Sequence, residues 1–234
     1  MGKITLPGQG SGEAEVEVTL RRSARARRLS LRVSGVDGRV TLTMPRFAPE
    51  REARSFAAEK AGWIRDRLAE QAPFVPVELG AELPVEGVLR RIEAAPVRRI
   101  SLEAQTLLVP EGATRLPARL GAFLREIARE RLAEASSRHA AALGRPHGRI
   151  TLRDTRSRWG SCSHEGNLMY SWRLILAPPE VLDYVAAHEV AHLAHMDHSP
   201  RFWAVCARLC PGYEAPRRWL RQEGAALHRY GFKG

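Results

Sequence analysis

Across residues 13–44, apolar and polar positions alternate with a period of two. Val16 and Val18, then Leu29, Leu31 and Val33, then Val40, Leu42 and Met44 predict half-buried strands, and Asp37-Gly38 supplies a hairpin turn. From Pro49 to about Glu70 the spacing of Phe56, Ala57, Ile64 and Leu68, with Trp63 beside them, predicts a helix closed by Pro73 and Pro76. Residues 78–110 return to short strands, with Ile100 and Leu102, then Leu107 and Val109, as apolar runs. Leu116, Leu120, Phe123, Leu124, Ile127 and Leu132 then recur at helical spacing and predict one long helix over Leu116–Leu143, ended by Gly144.

The last third mixes both periods. Strands are expected over Ile150–Leu152 and Leu168–Leu176, separated by Arg158-Trp159-Gly160-Ser161-Cys162-Ser163 and a turn at Glu165-Gly166. Pro178 and Pro179 can open a helix in its first turn, and Val181, Leu182, Val185, Ala186, Val190 and Leu193 give it apolar surface to bury. Two further helices are expected near Pro200–Leu209 and Ala215–Ala226, with Phe202, Trp203 and Trp219 as core anchors. The order of elements predicts a small mixed strand and helix module over residues 1–112, then a second domain of strands and helices over residues 113–234.

Candidate chemistry lies on the helix after Pro179, in His188-Glu189-Val190-Ala191-His192. A helix advances about 3.6 residues per turn, so histidines four apart share a face and can share a metal ion. Two histidines and a glutamate on a buried helix are costly unless something satisfies them, and a metal does so. His198 lies far enough beyond His188 for the helix to end and the chain to turn back with a third imidazole. Three protein ligands leave one tetrahedral position open for water, the arrangement of catalytic zinc, and Glu189 is placed to take that water's proton. His195 is an alternative third ligand if the helix continues, and Asp197 a candidate to orient a histidine.

At 234 residues, 44% hydrophobic and 27% charged, the chain can bury a core without disulfide staples. No apolar run resembles a signal peptide or reaches the roughly 20 residues of a membrane span, so the expected location is the cytoplasm, with no membrane partner. Cys162, Cys206 and Cys210 are odd in number; the last two read as core residues and Cys162 as core or a thiol near the metal. The net charge of +11 favours anionic partners. Of 37 basic residues, only Lys3, Lys60 and Lys233 are lysines. The run Arg21, Arg22, Arg25, Arg27 and Arg28 reads better as a solvated strand face than as a nucleic-acid contact, because no aromatic residue interleaves with it.

Taken together, Ser157-Arg158-Trp159-Gly160-Ser161-Cys162-Ser163, Arg173-Leu174-Ile175-Leu176-Ala177-Pro178, Tyr184 to Leu193, His198-Ser199-Pro200-Arg201-Phe202-Trp203 and Pro211-Gly212-Tyr213 resemble the YgjP-like metallopeptidase family, relatives of SprT-type and other zincin proteases. The strong part of the resemblance spans residues 150–224. It implies a zincin-like α+β domain in which His188, His192 and His198 bind Zn2+ and Glu189 is the general base. The histidine spacing also matches the metzincins, but His195 stands where their turn glycine would be. Trp159 to Ser163 reads as a structural wall of the cleft, and the strand after it as an edge for an extended substrate. Tyr213 is a candidate donor to the transition-state oxyanion as well as a core residue.

Peptide hydrolysis is the leading function. The same machinery could attack a phosphoanhydride, so a nucleoside triphosphate hydrolase is the alternative, with phosphate held by arginines and metal because no Walker-type loop is present. A nucleic-acid-associated zinc module comes third; Glu189 argues against it, since structural zinc needs no acid there.

Overall fold

The computed structural model describes residues 2–7, 15–34, 38–69 and 73–232. These fall into two compact units, Met1–Pro73 and Phe74–Gly234.

In the first unit, β1 (Gly2–Leu6), β2 (Val16–Ser23), β3 (Ser30–Val33) and β4 (Val40–Pro45) form one sheet in the order β1-β2-β4-β3. The alternating positions predicted the buried face: Val18, Val40, Leu42 and Met44 are fully enclosed. They pack against Ala53, Ala57 and Ile64 of α1 (Glu50–Glu59) and α2 (Ala61–Ala69). The β3–β4 pair is antiparallel, with Val33 opposite Val40. Asp37 of its expected turn lies outside the described residues, whereas Gly38 adopts φ +67. The single helix expected over residues 49–70 is two, because Lys60 leaves helical geometry at ψ 9. Arg22, from the basic run, donates to the carbonyls of Arg46 (2.7 Å) and Ala48 (2.9 Å) and so ties down the loop after β4.

The second unit holds the remaining elements. Its strands are β5 (Val75–Pro76), β6 (Glu82–Val85), β7 (Val88–Ala95), β8 (Ser101–Leu102), β9 (Thr106–Pro110), β10 (Ile150–Arg153), β11 (Gly160–Cys162), β12 (Leu168–Ser171) and β13 (Tyr230–Gly231). Its helices are α3 (Leu116–Leu143), α4 (Pro179–Ala191), α5 (Pro200–Leu209) and α6 (Glu214–Glu223). The strands form sheets of order β6-β7-β9-β8, β10-β12-β11 and β13-β5.

The division between the units therefore falls after Pro73, not after residue 112 as expected from the sequence. Packing explains the shift: Leu83, Val85, Ile92, Leu107 and Val109 of the four-stranded sheet share one core with Leu120 and Leu124 of α3 and Trp172. The turn from β6 to β7 is pressed against the start of α4. Gly87, at φ +75, would place a Cβ 3.0 Å from Cα of Pro178, and the Glu86 amide donates to the Ile175 carbonyl at 2.7 Å.

A second correction concerns residues 168–176. Only Leu168–Ser171 is strand, and Trp172–Leu176 winds into a 3-10 helix. Every residue of that turn is buried, so there was no polar face to reveal its period. Its Arg173 is 7% exposed and grips Asp154 through Nε (2.6 Å) and Nη2 (3.2 Å). The same guanidinium donates to the carbonyls of Leu227 (3.0 Å) and Tyr230 (3.1 Å), fastening the C-terminal segment to the core.

Helix α4 runs through this core with Val181, Val185, Ala186, Val190 and Ala191 buried, and Pro179 in its first turn. Ser199 caps α5 by accepting from the Phe202 amide at 3.5 Å, with Pro200 next in line. Among the described residues no helix is long and apolar enough to cross a membrane.

Candidate metal centre

Helix α4 ends at His192, and a short turn carries the chain to Ser199 at the head of α5. That turn brings His198 back over the two helical histidines. One ring nitrogen from each of His188, His192 and His198 lies within 4.8 Å of the others, and the Nε2 atoms of His188 and His198 are 3.1 Å apart. Zinc–imidazole bonds of about 2.0–2.1 Å separate tetrahedral ligand nitrogens by roughly 3.4 Å, so the set can close on one ion with small adjustments.

The two histidines carried by α4 favour the neutral form. Burial, reinforced by its two histidine neighbours, pushes His188 down to about 3. Burial also lowers His192, against the raising effect of its bond to the His195 carbonyl. Neutral imidazoles offer lone pairs, which a metal requires. His192 Nδ1 donates to that carbonyl at 2.9 Å, which leaves Nε2 unprotonated for a ligand. His195 thus supplies a backbone acceptor, and its ring is not part of the three-nitrogen cluster. Asp197 instead accepts from the Ser199 amide at 3.2 Å and shapes the turn.

Phe202, fully buried, forms the floor of the cluster: its ring centroid lies 4.9, 4.5 and 4.8 Å from those of His188, His192 and His198. Trp203 lies 5.7 Å from His188 and 5.8 Å from His198. Sequence periodicity marked both as core anchors; their second role as a wall for the imidazoles needed the return of α5 beneath α4. Tyr213 stacks on Trp203 (5.3 Å) and Tyr184 (6.2 Å), so it sits in the same aromatic wall.

Glu189 points into the protein at 6% exposure. Burial pushes its carboxyl up to about 8, only partly offset by Arg158. Strand β11 lies directly against it. A Cβ added to Gly160 would stand 2.6 Å from Cγ and 2.7 Å from Cδ of Glu189, so the absence of a side chain at position 160 makes room for the carboxylate. Sequence reasoning read this motif as a wall and missed that its glycine is shaped to the glutamate. Cys162 on the same strand is pushed up to about 11 by burial and by Glu189, and its sulfur is not among the clustered ligand atoms. Trp159, just before Gly160, stacks on His228 at 5.1 Å, linking this strand to the segment fastened by Arg173.

We expect Gly160→Ala to displace the Glu189 carboxylate. Misplacement on the scale of 1 Å costs up to about 10²-fold in rate. Peptide hydrolysis should fall accordingly while zinc content by elemental analysis stays at the wild-type level. Full activity in the Gly160→Ala protein would show that the carboxylate does not work from this position.

Three clustered imidazoles, two of them on a helix that also carries a buried acid, could hold a metal ion within this α+β core. The sequence model of the YgjP-like metallopeptidase domain matches residues 27–223. The chain belongs to the YgjP-like metallopeptidase family. No curated protein and no solved structure gave a significant match.

Proposed function

We propose that the protein is a zinc-dependent peptidase in which His188, His192 and His198 hold the ion and Glu189 is the general base. The observation that carries this reading is the convergence of three imidazole nitrogens within 4.8 Å, with the buried acid Glu189 following His188 on the same helix. A bound zinc ion supplies a Lewis acid that polarises the scissile carbonyl and lowers the pKa of the attacking water.

The chain's own residues do the rest. Glu189 accepts the water's proton and passes it to the leaving amine. Gly160 gives the carboxylate its place, and the His195 carbonyl holds the tautomer of His192. The strand after the motif, β12, lies between β10 and β11 and does not offer the edge expected from the sequence; β11 itself is at the edge, so an extended peptide can pair with it beside Glu189. Family membership favours peptide over nucleoside triphosphate as the substrate class.

Removing one ligand tests the assignment. His198→Ala should weaken zinc binding by at least the roughly 10–100-fold typical of losing a group that merely orients a ligand. Competition against a chelating dye measures it, with cleavage of a peptide library as the parallel readout. Unchanged zinc affinity would remove His198 from the ligand set.

A further inference from the structure

Helix α6 carries Glu214, Arg217, Arg218 and Arg221 at a spacing of three and four residues, which puts them on one face. Together they line an open concavity of about 420 Å³. Three guanidinium groups face one carboxylate there, and among the described residues none of the three arginines forms an ion pair within 4.0 Å. Arg218 and Arg221 are exposed and Arg217 half-buried.

Arg217 joins this concavity to the metal centre. Its guanidinium carbon sits 4.3 Å from the centroid of Trp203, the ring that borders His188 and His198. Stacking on an aromatic face restrains a guanidinium while leaving its N–H donors free for a planar carboxylate. A single aromatic ring separates the cation from the imidazoles. Successive Cα atoms are about 3.8 Å apart, so a side chain one or two residues from a bond held at the metal can cross that distance.

We infer that Arg217, with Arg218 and Arg221, forms a subsite selecting peptides that carry an acidic side chain close to the scissile bond. The inference rests on the peptidase reading for its substrate class. The stack on Trp203 aligns Arg217 for charge-assisted hydrogen bonds, and the two exposed arginines add attraction that salt can screen.

The test is a binding comparison on the zinc-loaded Glu189→Gln protein, whose slowed turnover spares the probe during the measurement. Fluorescein-labelled ten-residue alanine–glycine peptides carry two glutamates, two lysines or neither, and anisotropy gives their affinities at low ionic strength. The glutamate peptide should bind about 5–10-fold more tightly than the neutral one, the sum expected of a few partly exposed pairs. Arg217→Ala should abolish that preference. Arg221→Glu, at a residue with no aromatic contact to disturb, brings the net charge of the four groups to zero and should likewise remove the preference. Arg25→Glu with Arg28→Glu, a larger charge change in the N-terminal unit, should leave the preference intact. Equal affinity for the glutamate and neutral peptides, no binding of either, or a preference surviving both Arg217→Ala and Arg221→Glu overturns the subsite. Failure of the wild-type zinc protein to cleave any peptide counts against the peptidase reading alone, because the binding comparison judges the subsite independently of turnover.

Discussion

Glu189→Gln should reduce peptide hydrolysis by about 10² to 10⁴-fold, the usual contribution of a positioned general base. Glutamine fills the same space against Gly160 but cannot accept a proton. Zinc content and thermal stability should stay near wild type, since Glu189 is not one of the three clustered nitrogen donors and the substitution removes no buried volume. Steady-state kinetics with the two zinc-loaded proteins side by side measure the effect. Equal rates would remove Glu189 from the mechanism while leaving the metal cluster untouched.

Asp154→Asn should cost about 3 kcal/mol of folding stability. Arg173 is buried against Trp172 and Phe232, its guanidinium 5.1 and 5.4 Å from their rings, and Asp154 is its only carboxylate partner among the described residues. Removing one partner of such a pair leaves a buried charge unanswered, which costs roughly 3–5 kcal/mol; the lower end applies because Asp154 is itself 31% exposed. Denaturant melts at pH 7 measure the loss. Activity should fall with it, because the same guanidinium fastens the segment whose His228 stacks on Trp159, next to Gly160.

The pH dependence has a definite sign. Burial raises the Asp154 carboxyl, but the hydrogen bond and charge of Arg173 outweigh it and hold the group below its ordinary value. The unfolded group titrates near 3.9, so the pair's contribution is present above about pH 4 and is lost as pH falls through the lower folded value. The Asp154→Asn protein should therefore show a flatter acid limb than wild type in melts between pH 5 and 2. Parallel acid limbs would mean that the pair adds nothing to stability.

Elements with a polar face or a punctuating residue were legible from the sequence. The 28-residue helix α3 begins and ends where its apolar spacing and Gly144 put it, and that glycine adopts φ +73 at the cap. Pro179 and Pro200 opened α4 and α5 as read, and the histidine spacing held because a helix end followed by a short return is all it requires. Where burial is complete, periodicity disappears. Trp172–Leu176 has no solvent face, and its conformation is set by what Arg173 must reach: Asp154 ahead of it and two carbonyls more than 50 residues behind. The short strands β1 and β13 were missed because each depends on a partner strand rather than on its own pattern. The unit boundary was misplaced for a related reason. Residues 82–110 look like the strands before them, and only their packing on α3 assigns them to the second core.

The three clustered imidazoles were legible in the sequence, and the groups packed around them were not. His188, His192, His198 and Glu189 stand out because imidazoles and acids are expensive on a buried helix. Gly160 and the His195 carbonyl have no such signature, since a missing side chain and a backbone oxygen look alike in any sequence.

Zinc K-edge absorption on the zinc-loaded protein tests the central claim most directly. If His188, His192 and His198 hold the ion, the fitted shell contains three imidazole nitrogens at about 2.0–2.1 Å and one further light-atom ligand, with no sulfur. His198→Ala should leave two imidazoles. A sulfur shell at about 2.3 Å, or an imidazole count that does not change in that variant, would contradict the account.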